Sequence, residues 1–163
     1  MKNTLGLLQV LDGNPVFECT LIGTADDEGY MKRCRTIIER NDHIDWVGGV
    51  GPDKIGENYM SARFFASMTT GENFGHAIIE ALAHGCPVII SDQTPWRDIE
   101  RDGAGWVVPI NDAEKWKATL ERAANLNAEE YEQMSQNAVA YVKRKFDTKQ
   151  LRQQYLDMFR GEN

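Results

Sequence analysis

The residues with most capacity for chemistry in this 163-residue sequence stand close together: Gly71-Glu72-Asn73-Phe74-Gly75-His76, followed by Glu80 and His84 inside an apolar stretch. A loop that runs into a helix leaves backbone N–H groups free, here near Phe74, Gly75 and His76, with the positive end of the helix dipole behind them. Such an arrangement suits a pyrophosphate. Gly71 and Gly75 let the backbone approach a ligand closely. The same residues also describe an ordinary glycine-containing connection, because the usual dinucleotide fingerprint is absent.

Glu80 interrupts Ala77-Ile78-Ile79 and Ala81-Leu82-Ala83. An ionised carboxylate among buried neighbours is costly unless donors meet it. It therefore either faces solvent at one edge of the helix or meets a polar ligand such as a sugar's hydroxyl pair. His76, Glu80 and His84 share a face at four-residue spacing, which raises the question of a metal site. The helical rise puts the two histidine positions about 12 Å apart, too far for one ion held by bonds near 2 Å. No metal is expected, and His84 reads as a solvated surface residue. Glu72 and Glu80 also pose as a glycosidase pair, but the phosphate-type loop between them favours gripping an elongated ligand. Spacing reveals no Ser-His-Asp or Cys-His arrangement, and Cys86 beside Pro87 reads as a packed thiol.

The elements that must carry these residues alternate in period. Val16–Gly23, Ile44–Gly48, Arg63–Met68 and Pro87–Asp92 read as strands, the last a continuous apolar run of the kind buried on both faces. Trp106-Val107-Val108 follows a turn at Asp102-Gly103-Ala104-Gly105. Helical spacing marks Asp27–Arg40, with Tyr30, Met31, Cys34, Ile37 and Ile38 on one face, and shorter helices at Asp53–Ala62 and Gly75–His84, the latter stopped by Gly85. From Asn111 the chain reads as helices to about Asn125, from Asn127 to Lys145 and from Thr148 to Phe159. Strands alternating with helices imply parallel pairing in a doubly wound α/β sheet. Ligands of such sheets sit at the carboxyl ends of the strands, here the loops after Gly23, Gly48, Met68 and Asp92.

Composition narrows the function classes. Eighteen Lys and Arg against 25 Asp and Glu give net charge −7, the wrong sign for non-specific nucleic-acid binding. No apolar run approaches the roughly 20 residues of a membrane span, and the start has no signal-peptide pattern. Cys19, Cys34 and Cys86 form no CxxC pair and read as thiols in a reducing cytoplasm. Lys143-Arg144-Lys145 either complements a helix dipole or makes a weak membrane-surface contact.

The stretch from Glu72 to Trp96 resembles the donor-binding motif of family-four retaining glycosyltransferases, enzymes of the GT-B architecture. The matching features are Glu72 and Glu80 with seven residues between, Phe74-Gly75, Gly85-Cys86-Pro87, Ser91-Asp92, Asp102-Gly103, Gly105 to Pro109, and Asn111-Asp112 opening a helix. Leu21-Ile22-Gly23 and Trp46-Val47-Gly48 resemble the family's strand ends upstream. The resemblance implies a Rossmann-like donor half with a helical C-terminal segment. It implies that Glu72 acts at the transferred sugar near its anomeric carbon, and that Gly71, Asn73, Phe74, Gly75 and His76 surround sugar and diphosphate. Glu80 would accept from the nucleotide ribose, and Val50 with Lys54 and Ile55 would line the base pocket. The implied donor is a UDP-, GDP- or ADP-linked sugar, transferred to a glycan or lipid-linked acceptor without a metal cofactor.

Departures accompany the match. Asn73 and His76 replace smaller or apolar residues, and Gln93-Thr94-Pro95-Trp96 replaces a Gly-Gly loop, leaving Trp96 either to stack on a ligand or to pack inward. The family's first donor-half strand, its diphosphate-binding Arg and Lys, and the acceptor-binding N-terminal half have no counterpart, and Leu5–Leu11 resembles the helix that follows that strand. Residues 1–163 are thus expected to form one nucleotide-sugar-binding domain, part of a larger enzyme. Either Thr4–Leu11 is recruited as a strand, or the sheet pairs differently. The competing expectation is a non-catalytic α/β nucleotide-binding or assembly module.

Overall fold

The computed structural model describes residues 2–24 and 27–147. The elements run α1 (Thr4–Leu11), β1 (Cys19–Ile22), α2 (Glu28–Ile38), β2 (Ile44–Gly48), α3 (Ile55–Ser61), β3 (Phe65–Ser67), α4 (His76–Ala83), β4 (Val88–Ser91), β5 (Gly105–Val108), α5 (Ala113–Ala124) and α6 (Ala128–Lys145). Helix starts follow side-chain chemistry. Asn3, Asp27, Asp112 and Asn127 each accept from a backbone N–H of the first turn, and Asn127 with Glu130 forms a reciprocal capping box. The helix expected at Thr148–Phe159 lies outside the described residues.

Three strands are shorter than the sequence pattern predicts, Pro87–Asp92 by one residue at each end and two others by more. Val16 is 59% exposed, and pairing begins only at Cys19, while the run from Arg63 narrows to Phe65–Ser67. Apolar content marks these segments, but hydrogen-bonding partners decide where a ladder starts. Thr4–Leu11 is a helix, not a recruited strand. All strand pairs are parallel, but they form two sheets instead of one: β1-β2, and β3-β4-β5 in that order. Among the described residues no ladder joins β1 to β3; Lys2 makes an isolated antiparallel bridge to Thr69.

The three-stranded sheet is covered on both faces. Ile89 points into a core with Leu8 and Trp116, while Val88 and Ile90 point into a second core with Leu82, Ile99 and Tyr141. That split is the two-residue alternation of a strand, with apolar partners on each side. All four residues of β4 are buried, each large aliphatic side chain contributing roughly 1.5–3 kcal/mol. Helix α6 closes one face by packing on α4. Its end is tied to the loop after β4 by three contacts. The Tyr141 hydroxyl donates to Asp98 Oδ1 at 2.6 Å, and Lys145 and Arg144 pair with Asp98 and Asp102, each at 2.5 Å. Two of the three basic residues at this helix end are therefore paired with carboxylates of the same chain at the exposed surface. No helix among the described residues is long and apolar enough to cross a membrane.

Candidate functional site

The loop after β3 is held from below by the end of β4. Ser91 Oγ donates to the Thr69 carbonyl at 2.6 Å, and the Glu72 N–H donates to the Gln93 carbonyl at 3.2 Å. Asp92 accepts from the Gln93 side chain and from the Ile110 N–H at 3.1 Å, contacts that hold its carboxyl below the usual carboxylate range. Ser91 and Gln93 thus brace the loop after β3. Trp96 braces it from the side. Its indole N–H donates to the Phe74 carbonyl, and its ring meets Phe74 edge-on at 5.4 Å. At 9% exposure Trp96 is packed inward.

Gly75 is the hinge of this arrangement. It is the N-cap of α4 at φ +80°, and it has no side chain to cap the helix. The amides of His76 and Ala77, at the first two positions of α4, consequently lie beyond the reach of intrahelical acceptors and open toward the loop. A β-carbon at Gly75 would come within 2.9 Å of Ile78 Cδ1, 3.1 Å of Glu72 Cγ and 3.3 Å of Trp96 Nε1. The glycine is required both by its left-handed φ and by that crowding. Glu72 is half-buried beside it, whereas Gly71, Asn73, Phe74 and His76 are exposed, with the Phe74 and His76 rings 4.7 Å apart.

One turn further along α4, Glu80 is exposed to a cavity of about 540 Å³, within the ordinary range for small-ligand pockets. Its lining is Val50, Pro52, Asp53, Ile55, Gly56, Glu80 and His84. The loop after β2 supplies one wall and α4 the other, with α3 between them. Lys54 sits between two lining residues; it starts α3, and its carbonyl accepts from Asn58. Tyr59 lies behind the cavity, its hydroxyl 3.5 Å from Glu80 Oε2. Burial and the adjacent Glu80 carboxylate push the Tyr59 phenol up to about 12. It stays protonated at neutral pH and donates to Glu80.

The structure therefore brings Val50 and Glu80 together across one cavity and places Glu72, Phe74, Gly75 and His76 at the opposite end of the same helix. Sequence reasoning missed Tyr59 and Gly56; His84 is exposed, as expected of a solvated residue, and it also lines the cavity. Only the four-residue spacing of Ile55 and Tyr59, and of Glu80 and His84, carried a signal. Among the described residues no three His, Cys, Asp or Glu side chains gather in a metal-binding group.

This layout can be set beside known proteins. The family profile described as "Glycosyl transferases group 1" matches residues 1–140. The chain belongs to that family. Among curated glycosyltransferases it is 32% identical to the phosphatidyl-myo-inositol mannosyltransferase of Mycobacterium leprae, over 66% of this chain and 30% of that protein. It is 26% identical to the GDP-mannose:cellobiosyl-diphosphopolyprenol alpha-mannosyltransferase of Xanthomonas oryzae, over 96% of this chain and 42% of that protein. The chain thus spans less than half the length of either. Its fold is shared with HepE of Anabaena, solved with UDP (TM-score 0.82, 19% identity, 98% of this chain and 45% of that one). It is also shared with the C-terminal domain of a group 1 glycosyl transferase of Francisella tularensis (TM-score 0.76, 20% identity, 89% of this chain and 80% of that one). The expected glycosyltransferase family and α/β fold are both met.

Proposed function

We propose that this chain is the donor-binding half of a retaining glycosyltransferase, holding a nucleotide-diphosphate sugar for transfer to a glycan or lipid-linked acceptor. The observation that carries this reading is the layout along α4. An amide-rich, glycine-hinged N-terminus with Glu72 beside it lies one turn from Glu80, which shares a nucleoside-sized cavity with Val50. In this reading the His76 and Ala77 amides meet the diphosphate, assisted by the helix dipole and without a metal ion. Glu72 meets the transferred sugar near its anomeric carbon, with Gly71, Asn73 and Phe74 around it. Glu80, steadied by Tyr59, accepts from the ribose hydroxyls. Val50 and Lys54 attend the base. A UDP-bound neighbour and a relative named for GDP-mannose favour uridine and guanosine donors over adenosine. An acceptor-binding half outside this chain, and a strand joining β1 to β3, complete the enzyme.

Calorimetric titration with UDP, GDP, ADP and their sugars tests the site. Glu80→Ala is expected to weaken the preferred nucleotide by roughly tenfold or more, the loss of hydrogen bonds to a charged acceptor. Equal affinity in the parent chain and the variant would overturn the assignment.

A further inference from the structure

His84 stands one helical turn after Glu80, on the same side of α4, and lines the same cavity. Three neighbours define its ring. Nδ1 lies 2.8 Å from the Glu80 backbone carbonyl, which can only accept, so Nδ1 carries a proton. The ring lies against Tyr59, with centroids 5.7 Å apart and planes tilted by 33°. It also lies over Gly56, where a β-carbon would come within 2.9 Å of Nε2, 3.5 Å of Cδ2 and 3.6 Å of Cε1. Glycine is a poor helix former, yet Gly56 is the second residue of α3. Its small size is what lets the imidazole occupy the cavity wall.

With Nδ1 committed to the helix carbonyl, the neutral ring leaves Nε2 as a lone-pair acceptor at the cavity. We propose that His84 is a nucleoside-binding residue: its Nε2 accepts a hydrogen bond from an N–H or O–H of the nucleoside, next to the hydroxyls taken by Glu80. Gly56 holds that acceptor in place by leaving room for it. This rests on the reading of the cavity as the nucleoside pocket. A purely structural His84, capping the end of α4, makes a different prediction, because His84→Ala would then leave nucleotide binding untouched.

The test is calorimetry on the full chain with UDP, GDP and ADP, and with inorganic pyrophosphate as competitor, comparing the parent chain with His84→Ala, Gly56→Ala and Glu80→Ala. His84→Ala is expected to weaken the preferred nucleotide by about three- to tenfold, the range of one neutral hydrogen bond. Gly56→Ala keeps the imidazole, displaces it and favours the helix. It is expected to weaken the nucleotide by a similar factor at unchanged or higher Tm. Pyrophosphate is expected to compete equally well in the parent chain and in both variants. Parent-like nucleotide affinity in His84→Ala and Gly56→Ala, with Glu80→Ala impaired, overturns the role of His84 alone. An equal loss for pyrophosphate overturns it too, since the effect then runs through the fold. No nucleotide binding by the parent chain, or none lost in Glu80→Ala, overturns the pocket reading and this inference with it.

Discussion

The two sheets of this molecule are built to different standards. In β3-β4-β5 the central strand has all four residues buried and an apolar core on each face. In β1-β2 the packed face is Cys19, Leu21 and Ile44, while Thr20 and Asp45 are exposed and Val47 is 54% exposed. Both present the carboxyl ends of their strands to the candidate site. The loop with Glu72 and Gly75 rises from the doubly covered sheet and is braced by Ser91, Gln93 and Trp96. The Val50 loop rises from the singly covered one. The lesson is a division of labour: amide and carboxylate geometry that must be exact to a fraction of an ångström is mounted on the part with least freedom. The Val50 wall, which under the proposed function faces a base and needs shape more than alignment, is mounted on the singly covered sheet.

The largest test of this contrast is in the strands. Ile90→Ala is expected to cost about 2–5 kcal/mol in urea denaturation, because Ile90 is fully buried. Leu21→Ala, at a half-buried position in β1, is expected to cost about 1 kcal/mol. Equal costs would mean that the two sheets are not differently built. Next is the hinge. Gly75→Ala must take a left-handed φ and crowd Ile78, Glu72 and Trp96, and is expected to lower stability by about 1–2 kcal/mol. It should also remove nucleotide binding. A variant that keeps parent-like affinity would show that the loop does not depend on its braced geometry.

The smallest effect concerns the rim of the covered face. Burial raises the Asp98 carboxyl, but hydrogen bonds from Lys145 and Tyr141 outweigh it and hold the group below its ordinary value. A depressed folded pKa stabilises above the unfolded value of about 3.9 and loses that contribution as pH falls through the lower folded value. Acid titration followed by circular dichroism is therefore expected to show a component near and below pH 4 that Asp98→Asn lacks. An unchanged acid limb in the variant would show that the Asp98 contacts add nothing to the hold on α6.

Much of the motif half was legible because its signals are local. Gly75 and Gly85 bracket an apolar run with helical spacing, and α4 begins and ends beside them; Gly85 takes φ +72° immediately after the His84 cap. The continuous run before Ser91 is the doubly buried strand it resembled. Caps at Asp112 and Asn127 stand where short polar side chains precede helical patterns. The first strand was overextended because Val16 and Phe17 are apolar without being paired, and pairing belongs to a partner 25 residues away, Ile44 opposite Cys19. His84 is exposed as expected, but its place in the cavity wall was not legible, for a similar reason. Nothing on its own helix announces Gly56 and Tyr59 as neighbours.

The sequence by itself determined most of the helices and strands, where the charged and glycine residues of the motif fall along α4, and which family the chain resembles, because periodicity, caps and glycine punctuation act within a few residues. Tertiary structure decided the rest. The separation into two sheets depends on hydrogen bonds between distant strands. The joining of Val50 to Glu80 depends on α3 packing against α4. The placement of His84 depends on a glycine 28 residues earlier being small enough to lie beneath its ring.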